Sequence, residues 1–314
     1  METAATREGY GKGLLKVGSN EKVVALDADL SESTKSSLFA EKYPDRFFDL
    51  GISEADMVGT AAGLAACGKI AFASSFAVFA TGLAYNQIRQ SVCYSNTNVR
   101  VVGSHAGLAT GEDGATHQSL EDISLMRGLP NMVVISPADA VEAEKAVEAL
   151  VDYEGPVYLR VARAKTPILF DENYKFEIGK GVILEDGDDV TLIATGVMVV
   201  KALEVAKELK QNSISSRVIN IHTIKPIDKD LIIDSVKKTG CIVTLEDHSI
   251  IGGLGSAVSE VLTEDEFAPL ERIGVRDKFG ESGKPDDLYK KYKMTNEDII
   301  KAVNKVIERK GGNK

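Results

Sequence analysis

The sequence predicts an α/β protein of two doubly wound domains with parallel sheets, the second smaller than the first. Three observations carry this expectation. Short β-branched runs alternate with stretches of helical period along the whole chain, the pattern of βα units packed around parallel strands. One polar, helix-poor segment, KTPILFDENYKFEIG, interrupts that alternation at 165–179 and reads as a crossing between domains. At 314 residues and 44% apolar content the chain also exceeds what one core ordinarily fills, since single cores stop growing at about 250 residues. The boundary is placed near Phe170, giving domains 1–170 and 171–314.

In the first domain a helix over 6–17 opens the chain, and strands follow at 23–26, 47–50, 70–74, 99–103, 132–136 and 157–162. Ser53 stands as a helix cap ahead of Glu54, and a helix is expected over 80–92. Pro137 sets up a further helix at 138–152, where Ala140, Ala143, Val147 and Leu150 recur at helical spacing. The second domain repeats the alternation, with strands at 190–194, 217–221, 241–246 and 270–275 and helices at 197–209 and 229–237. A closing helix starts at the cap Thr295, with Glu297 and Asp298 suiting its first-turn dipole, and runs through Ile300 and Val303 to Ile307. The glycines Gly252, Gly253 and Gly255 open a helix after a strand and read as a tight turn with close packing rather than as a nucleotide loop.

A net charge of −10 without any basic block argues against nucleic acid or an anionic membrane surface as partner. An anionic ligand would have to be held by a few placed cations. No apolar run is long enough to span a membrane, and the first twenty residues lack the apolar stretch of a signal peptide, so a cytoplasmic location is expected. Cys67, Cys93 and Cys241 are far apart in apolar surroundings and read as reduced, buried thiols, with no metal site proposed on this chain.

The chemistry-bearing residues gather in three stretches. In VRVVGSHAGLATGEDGATHQSLED, at 99–122, a strand ends at Ser104 and a glycine-broken loop then carries His105, Asp113 and His117. That loop lies beyond the carboxyl end of a parallel strand, where α/β sheets bind ligands. In FDLGISEADMVGTAAGLAACG, Glu54 falls in a first helical turn, and in ASSFAVFATG, Phe76 and Phe79 sit between a strand and a helix. Taken singly, these are equally the features of solvated turn histidines, a dipole-stabilising glutamate and core aromatics.

Together, in this order and with these gaps, the three stretches resemble the pyrimidine-binding domain of transketolases, and GEDGATHQ is close to the family signature. The similarity runs from about Thr6 through Arg163, and IIGGLGSAVSE fits the transketolase C-terminal domain. The resemblance implies a thiamine diphosphate enzyme. In GISEADM, Glu54 matches the glutamate that hydrogen-bonds the aminopyrimidine and supports the tautomer shift that ionises the thiazolium carbon. Phe76 matches the ring stacked on the aminopyrimidine, Phe79 its aromatic neighbour, and Asp29 in ALDADLSES an aspartate near the cofactor. His117 matches the histidine at the carbonyl end of the substrate, and Asp113 the carboxylate that reads a chain hydroxyl. Arg7 in ATREGYG, Ser33 in LSES, His105 in GSHAG and Arg163 in VARAK match the positions that grip the sugar phosphate.

Three departures from the family pattern matter. No glycine-aspartate-glycine stretch followed by an asparagine is present, so the resemblance implies that diphosphate and its Mg2+ or Ca2+ are held by a separate N-terminal subunit, in an α2β2 assembly. Gly82 stands where fused transketolases place a further aromatic over the pyrimidine, and Ser53 replaces the usual basic residue before the glutamate. The reaction implied is two-carbon ketol transfer from a ketose phosphate to an aldose phosphate. Other readings are a 1-deoxyxylulose 5-phosphate synthase, which typically has arginine where His105 stands, a 2-oxo acid dehydrogenase β subunit, which would lack the phosphate-gripping set, and a non-catalytic scaffold subunit.

Overall fold

A computed structural model describes residues 2–311. The strands in chain order are β1 (Thr3–Ala5), β2 (Val23–Asp27), β3 (Phe47–Asp49), β4 (Ile70–Phe76), β5 (Val99–Ser104), β6 (Val133–Ile135) and β7 (Val157–Arg160). They continue with β8 (Lys165–Pro167), β9 (Val182–Glu185), β10 (Val190–Ala194), β11 (Ser216–Asn220), β12 (Thr223–Lys225), β13 (Ile242–Ser249) and β14 (Leu270–Val275). β1 and β8 form a separate two-stranded pair; of the two larger sheets, one has the order β12-β6-β7-β5-β4-β2-β3 and the other β14-β13-β10-β11-β9. Both are parallel except at one edge, where β12 runs antiparallel to β6 and β9 antiparallel to β11. Every residue of β2, β4 and β5 is buried, as expected for strands covered by helices on both faces. The α/β, doubly wound architecture expected from the alternation is the one observed.

Helix Thr6–Val17 packs along helix Ala140–Leu150, and glycine is required where they touch. A Cβ on Gly9 would lie 1.9 Å from the Ala140 carbonyl oxygen. Asp139 caps the second of these helices by accepting from the Glu142 amide at 2.7 Å, so the helix begins two residues later than expected from Pro137. Thr295 and Asp298 cap the closing helix Asn296–Gly311 reciprocally, each accepting from the other's backbone N–H, at 3.3 and 3.2 Å.

Several expectations are corrected. The helix expected over 80–92 is three pieces, Ala77–Leu83, Tyr85–Gln87 and a π-helical turn Ile88–Tyr94. Thr81 donates its hydroxyl back to the Ala77 carbonyl at 2.7 Å, and Ala84 leaves helical geometry at ψ 13°, so the ladder opens there. The segment 165–179 holds no helix, as expected, but it opens on β8, which pairs antiparallel with β1. Ser53 occupies the cap position but its hydroxyl makes no capping bond. Cys67 is exposed, because it terminates helix Glu54–Ala66, whereas Cys93 and Cys241 are buried.

The two sheets are also tied more closely than a linker implies. β12 follows β11 of the second sheet directly in sequence, yet completes the first sheet against β6. Glu142 of the first domain accepts from Tyr174 Oη at 2.7 Å and Asn220 Nδ2 at 2.8 Å, and burial pushes its carboxyl up to about 7.

Candidate active site

The candidate residues collect at the carboxyl ends of β2, β4, β5 and β7 in the first sheet. After β2, the buried Asp27 carboxylate accepts from the Leu30 amide, Thr34 Oγ1 and Ser36 Oγ at 2.7, 2.7 and 2.8 Å. These bonds shape the turn that presents Asp29, held at φ 62°, and Ser33. Burial raises Asp27 to about 6 against the pull of its donors.

Glu54 begins helix Glu54–Ala66 and is only 4% exposed. Ser75 Oγ donates to its Oε1 at 3.0 Å, and Oε2 has no hydrogen-bond partner among the described residues. The residue lines a recess of about 240 Å³ together with Ala28, Asp29, Leu30, Ile52, Phe79 and Leu83. Ile52 and Leu83, on its rim, are 85% and 65% exposed.

Of the two aromatic rings, Phe79 lines this recess. Phe76 is buried, near-parallel to Phe79 at 6.0 Å and stacked on His105 at 3.9 Å. His117 meets the edge of both rings, at 6.0 and 5.3 Å, so the two rings and two histidines form one cluster. Thr116 Oγ1 lies 2.9 Å from His117 Nδ1.

The cationic group stands beside this cluster. Arg7 Nη1 donates to the Ser33 carbonyl at 2.8 Å and to His105 Nε2 at 3.2 Å. A guanidinium can only donate, so Nε2 accepts and the His105 proton sits on Nδ1, facing Ser104 Oγ at 2.9 Å. Burial, reinforced by the charges of Arg7 and Arg163, lowers His105 to about 3. The imidazole is therefore neutral, and its direct contribution is to hold Arg7. Ser33 likewise meets Arg7 through its carbonyl rather than its hydroxyl. The Arg7 guanidinium is itself lowered by burial and by Arg163. Arg163 is the more open of the two arginines, 42% exposed at the side chain, and its Nη1 pairs with Asp113 Oδ2 at 3.0 Å. Thus all ten residues singled out from the sequence come to one end of one sheet, and two of them, Asp113 and Arg163, satisfy each other.

Residues not expected from the sequence support this group from below. Arg160, at the end of β7, donates through Nε to Asp122 Oδ2 at 2.7 Å and through Nη2 to the Asp247 carbonyl at 2.9 Å. Tyr158 Oη donates to the same Asp122 oxygen at 2.7 Å. The run Glu246, Asp247, His248 at the end of a buried strand was the available signal, since successive ionisable residues in a sheet interior need partners. Burial lowers His248 to about 4 and His222 to about 3, so both are neutral; His248 faces Asp122 and Glu246, and His222 packs against Phe176. Among the described residues no helix is long and apolar enough to cross a membrane, and no group of three or more His, Cys, Asp or Glu is placed to hold a metal ion.

The sheet-end cluster and its recess mark a candidate ligand site at the carboxyl end of a parallel sheet, and comparison with known proteins identifies the domain that carries it. Residues 2–168 match the family described as transketolase, pyrimidine binding domain, and residues 179–299 the transketolase C-terminal domain. The chain belongs to the transketolase family. It is 49% identical over 301 residues to a protein of Methanocaldococcus jannaschii described as a transketolase C-terminal section, covering 95% of this chain and 94% of that one. It is 44% identical over 311 residues to a 6-deoxy-6-sulfo-D-fructose transketolase subunit of a Clostridium species, covering 99% and 97%. A solved structure described as a split gene transketolase, inactive beta4 tetramer, superposes with a TM-score of 0.91 at 50% identity, covering 97% of this chain and 98% of that one.

Transketolases depend on thiamine diphosphate, and the recess suits its pyrimidine ring. An aromatic wall and aliphatic neighbours offer stacking and apolar contact, and one buried carboxylate with an unpaired oxygen offers a single polar bond.

Proposed function

We propose that this chain is the pyrimidine-side subunit of a two-chain transketolase. It would transfer a two-carbon ketol unit from a ketose phosphate to an aldose phosphate, together with an N-terminal subunit that holds the diphosphate and its Mg2+ or Ca2+. The observation that carries the reading is electrostatic. Arg7 is fixed on the Ser33 carbonyl and His105 Nε2 at 2.8 and 3.2 Å beside the aromatic cluster, and Arg163, paired with Asp113 at 3.0 Å, stands at the same sheet end, where both charges lower His105. Two like charges gathered at a ligand-binding sheet end in a protein of net charge −10 call for an anion.

In this reading Glu54 bonds the aminopyrimidine while Phe79, backed by Phe76, forms its aromatic side, with Asp29 at the rim. Thiamine diphosphate, when bound, supplies the nucleophilic carbon. His117 and Asp113 orient the carbonyl and hydroxyl groups of the sugar and move its protons. Arg7, fixed by Ser33 and His105, and Arg163, released from Asp113, grip the terminal anion. The exposed Ile52 and Leu83 beside the cofactor recess support a partner surface there, in an α2β2 assembly acting in the cytoplasm.

Truncating Arg163 tests the phosphate grip. The contact is worth about 1.5–3 kcal/mol, so Arg163→Ala should lower kcat/KM for a phosphorylated donor by about ten- to a hundred-fold. Hydroxypyruvate, which carries no phosphate, should change little, with a non-phosphorylated acceptor used throughout. Equal losses for both donors would mean that Arg163 holds the fold instead.

The sulfosugar relative brings a second anion into view, because a sulfonate carries one charge and Arg163 is already half-occupied by Asp113. Acidity separates the two. Phosphate loses its second charge as pH falls through about 6. The ratio of kcat/KM for a phosphorylated donor to that for hydroxypyruvate should therefore fall below that pH. His105, at about 3, adds no inflection between pH 5 and 8. A sulfonate donor should give a flat ratio, and a flat phosphate ratio would remove the two-arginine assignment.

A further inference from the structure

The loop that carries His105, Asp113 and His117 belongs to the first domain, yet much of what holds it comes from the second. Asp247 lies near the end of β13 and is 2% exposed. Its Oδ1 accepts from the Leu108 amide at 2.9 Å and its Oδ2 from the Ala109 amide at 3.0 Å. Tyr289 Oη donates to Oδ2 at 3.1 Å, which fixes the carboxylate plane. The Asp247 carbonyl receives Arg160, whose strand leads on to Arg163. The loop is shaped for this carboxylate. Gly107 sits at φ 81°, and a Cβ there would lie 2.3 Å from Asp247 Oδ2. Two further bonds follow the same loop, from the Ser249 amide to the Leu120 carbonyl at 2.8 Å and from Gln118 Nε2 to the Glu281 carbonyl at 2.9 Å.

We infer that Asp247 is a positioning residue that clamps the substrate loop of the first domain from the second, so that the C-terminal domain sets the geometry of His105, Asp113 and His117 without touching substrate. The carboxyl end of a parallel sheet ordinarily receives a ligand. Here β13 of the second sheet receives two backbone amides in a ligand's place. A carboxylate accepting paired N–H groups in a buried site is a strong, directional hold. Glu54 is outside its reach, since it rests on its own helix and on Ser75. The clamp is therefore predicted to act on substrate handling and not on cofactor activation. The catalytic half of this inference rests on the transketolase reading, whereas the hold on the loop does not.

The test combines amide exchange on the full chain with kinetics on its complex with the diphosphate-binding subunit. Asp247→Asn keeps one acceptor and loses the other. Exchange at Leu108 and Ala109 should quicken at least ten-fold, on the full chain alone. In the complex, kcat/KM for xylulose 5-phosphate should fall about ten- to a hundred-fold, the range for a misplaced reactive group. Exchange of the thiazolium proton should stay within two-fold. Unchanged amide exchange would overturn the clamp whatever the kinetics. Faster amide exchange with unchanged kcat/KM, or with cofactor activation falling in proportion, would overturn the positioning role. Should Asp247→Asn not fold, Tyr289→Phe loosens the same carboxylate without removing it, and a two- to five-fold rise at the same two amides is expected, with no rise counting against the clamp. A wild-type complex that turns over no sugar phosphate would defeat the proposed reaction, while the amide comparison would still decide whether Asp247 holds the loop.

Discussion

Glu54→Gln should reduce turnover of the assembled enzyme by about 10²- to 10⁴-fold, the usual worth of a positioned acid–base group. The physical reason lies in what the amide preserves and what it removes. Glutamine fills the same volume at a site 4% exposed and can still accept from Ser75, so the helix start and the recess should survive. It cannot exchange a proton with the aminopyrimidine, because the amide neither ionises nor carries an acidic hydrogen in this range. Assembly and cofactor affinity should thus remain within a few-fold while hydrogen–deuterium exchange at the thiazolium carbon slows with turnover. Fast exchange in the variant would reduce Glu54 to a carboxylate at a helix N-terminus, stabilising the dipole and nothing more.

The chain without its partner should show no measurable transfer, and adding the N-terminal subunit should restore it. In the proposed reading this chain supplies only the pyrimidine side of the cofactor site. The recess of about 240 Å³ meets one ring, and its rim is Ile52 and Leu83 at 85% and 65% exposure. Apolar side chains so exposed beside a carboxylate that must be desolvated are better suited to a subunit contact than to water. Calorimetry should find weak cofactor binding to the chain alone and tight binding to the complex, and Ile52→Asp should weaken association. Micromolar binding with turnover by the single chain would end the two-subunit proposal. The inactivity stated for the related beta4 tetramer is the behaviour expected.

Legibility in the sequence followed periodicity. Strands such as Val190–Ala194 and Leu270–Val275, and helix Thr6–Val17, were readable to the residue, because long β-branched or amphipathic runs leave a period. Thr3–Ala5, Lys165–Pro167 and Thr223–Lys225 were not, since three residues are too few to show one and their pairing is set by distant partners. The candidate site residues were singled out through motif order, a signal that locates side chains but not their bonds. Nothing in LSES says that Ser33 meets Arg7 through its carbonyl, nor in GSHAG that His105 is a neutral acceptor. Asp247 was missed for a related reason, as its partners are amides of a loop almost 140 residues away.

The placement of β12 bears on how such a chain can be recombined. Thr223–Lys225 follows the second domain's β11 but closes the edge of the first domain's sheet. A chimaera spliced at Phe170 would import a foreign edge strand together with its foreign tail, and a fragment ending there would leave the β6 edge bare and prone to pairing with other chains. The two halves of the polypeptide are therefore exchangeable only as far as each can still complete the other, and sequence drift in one is constrained by a three-residue graft in its neighbour.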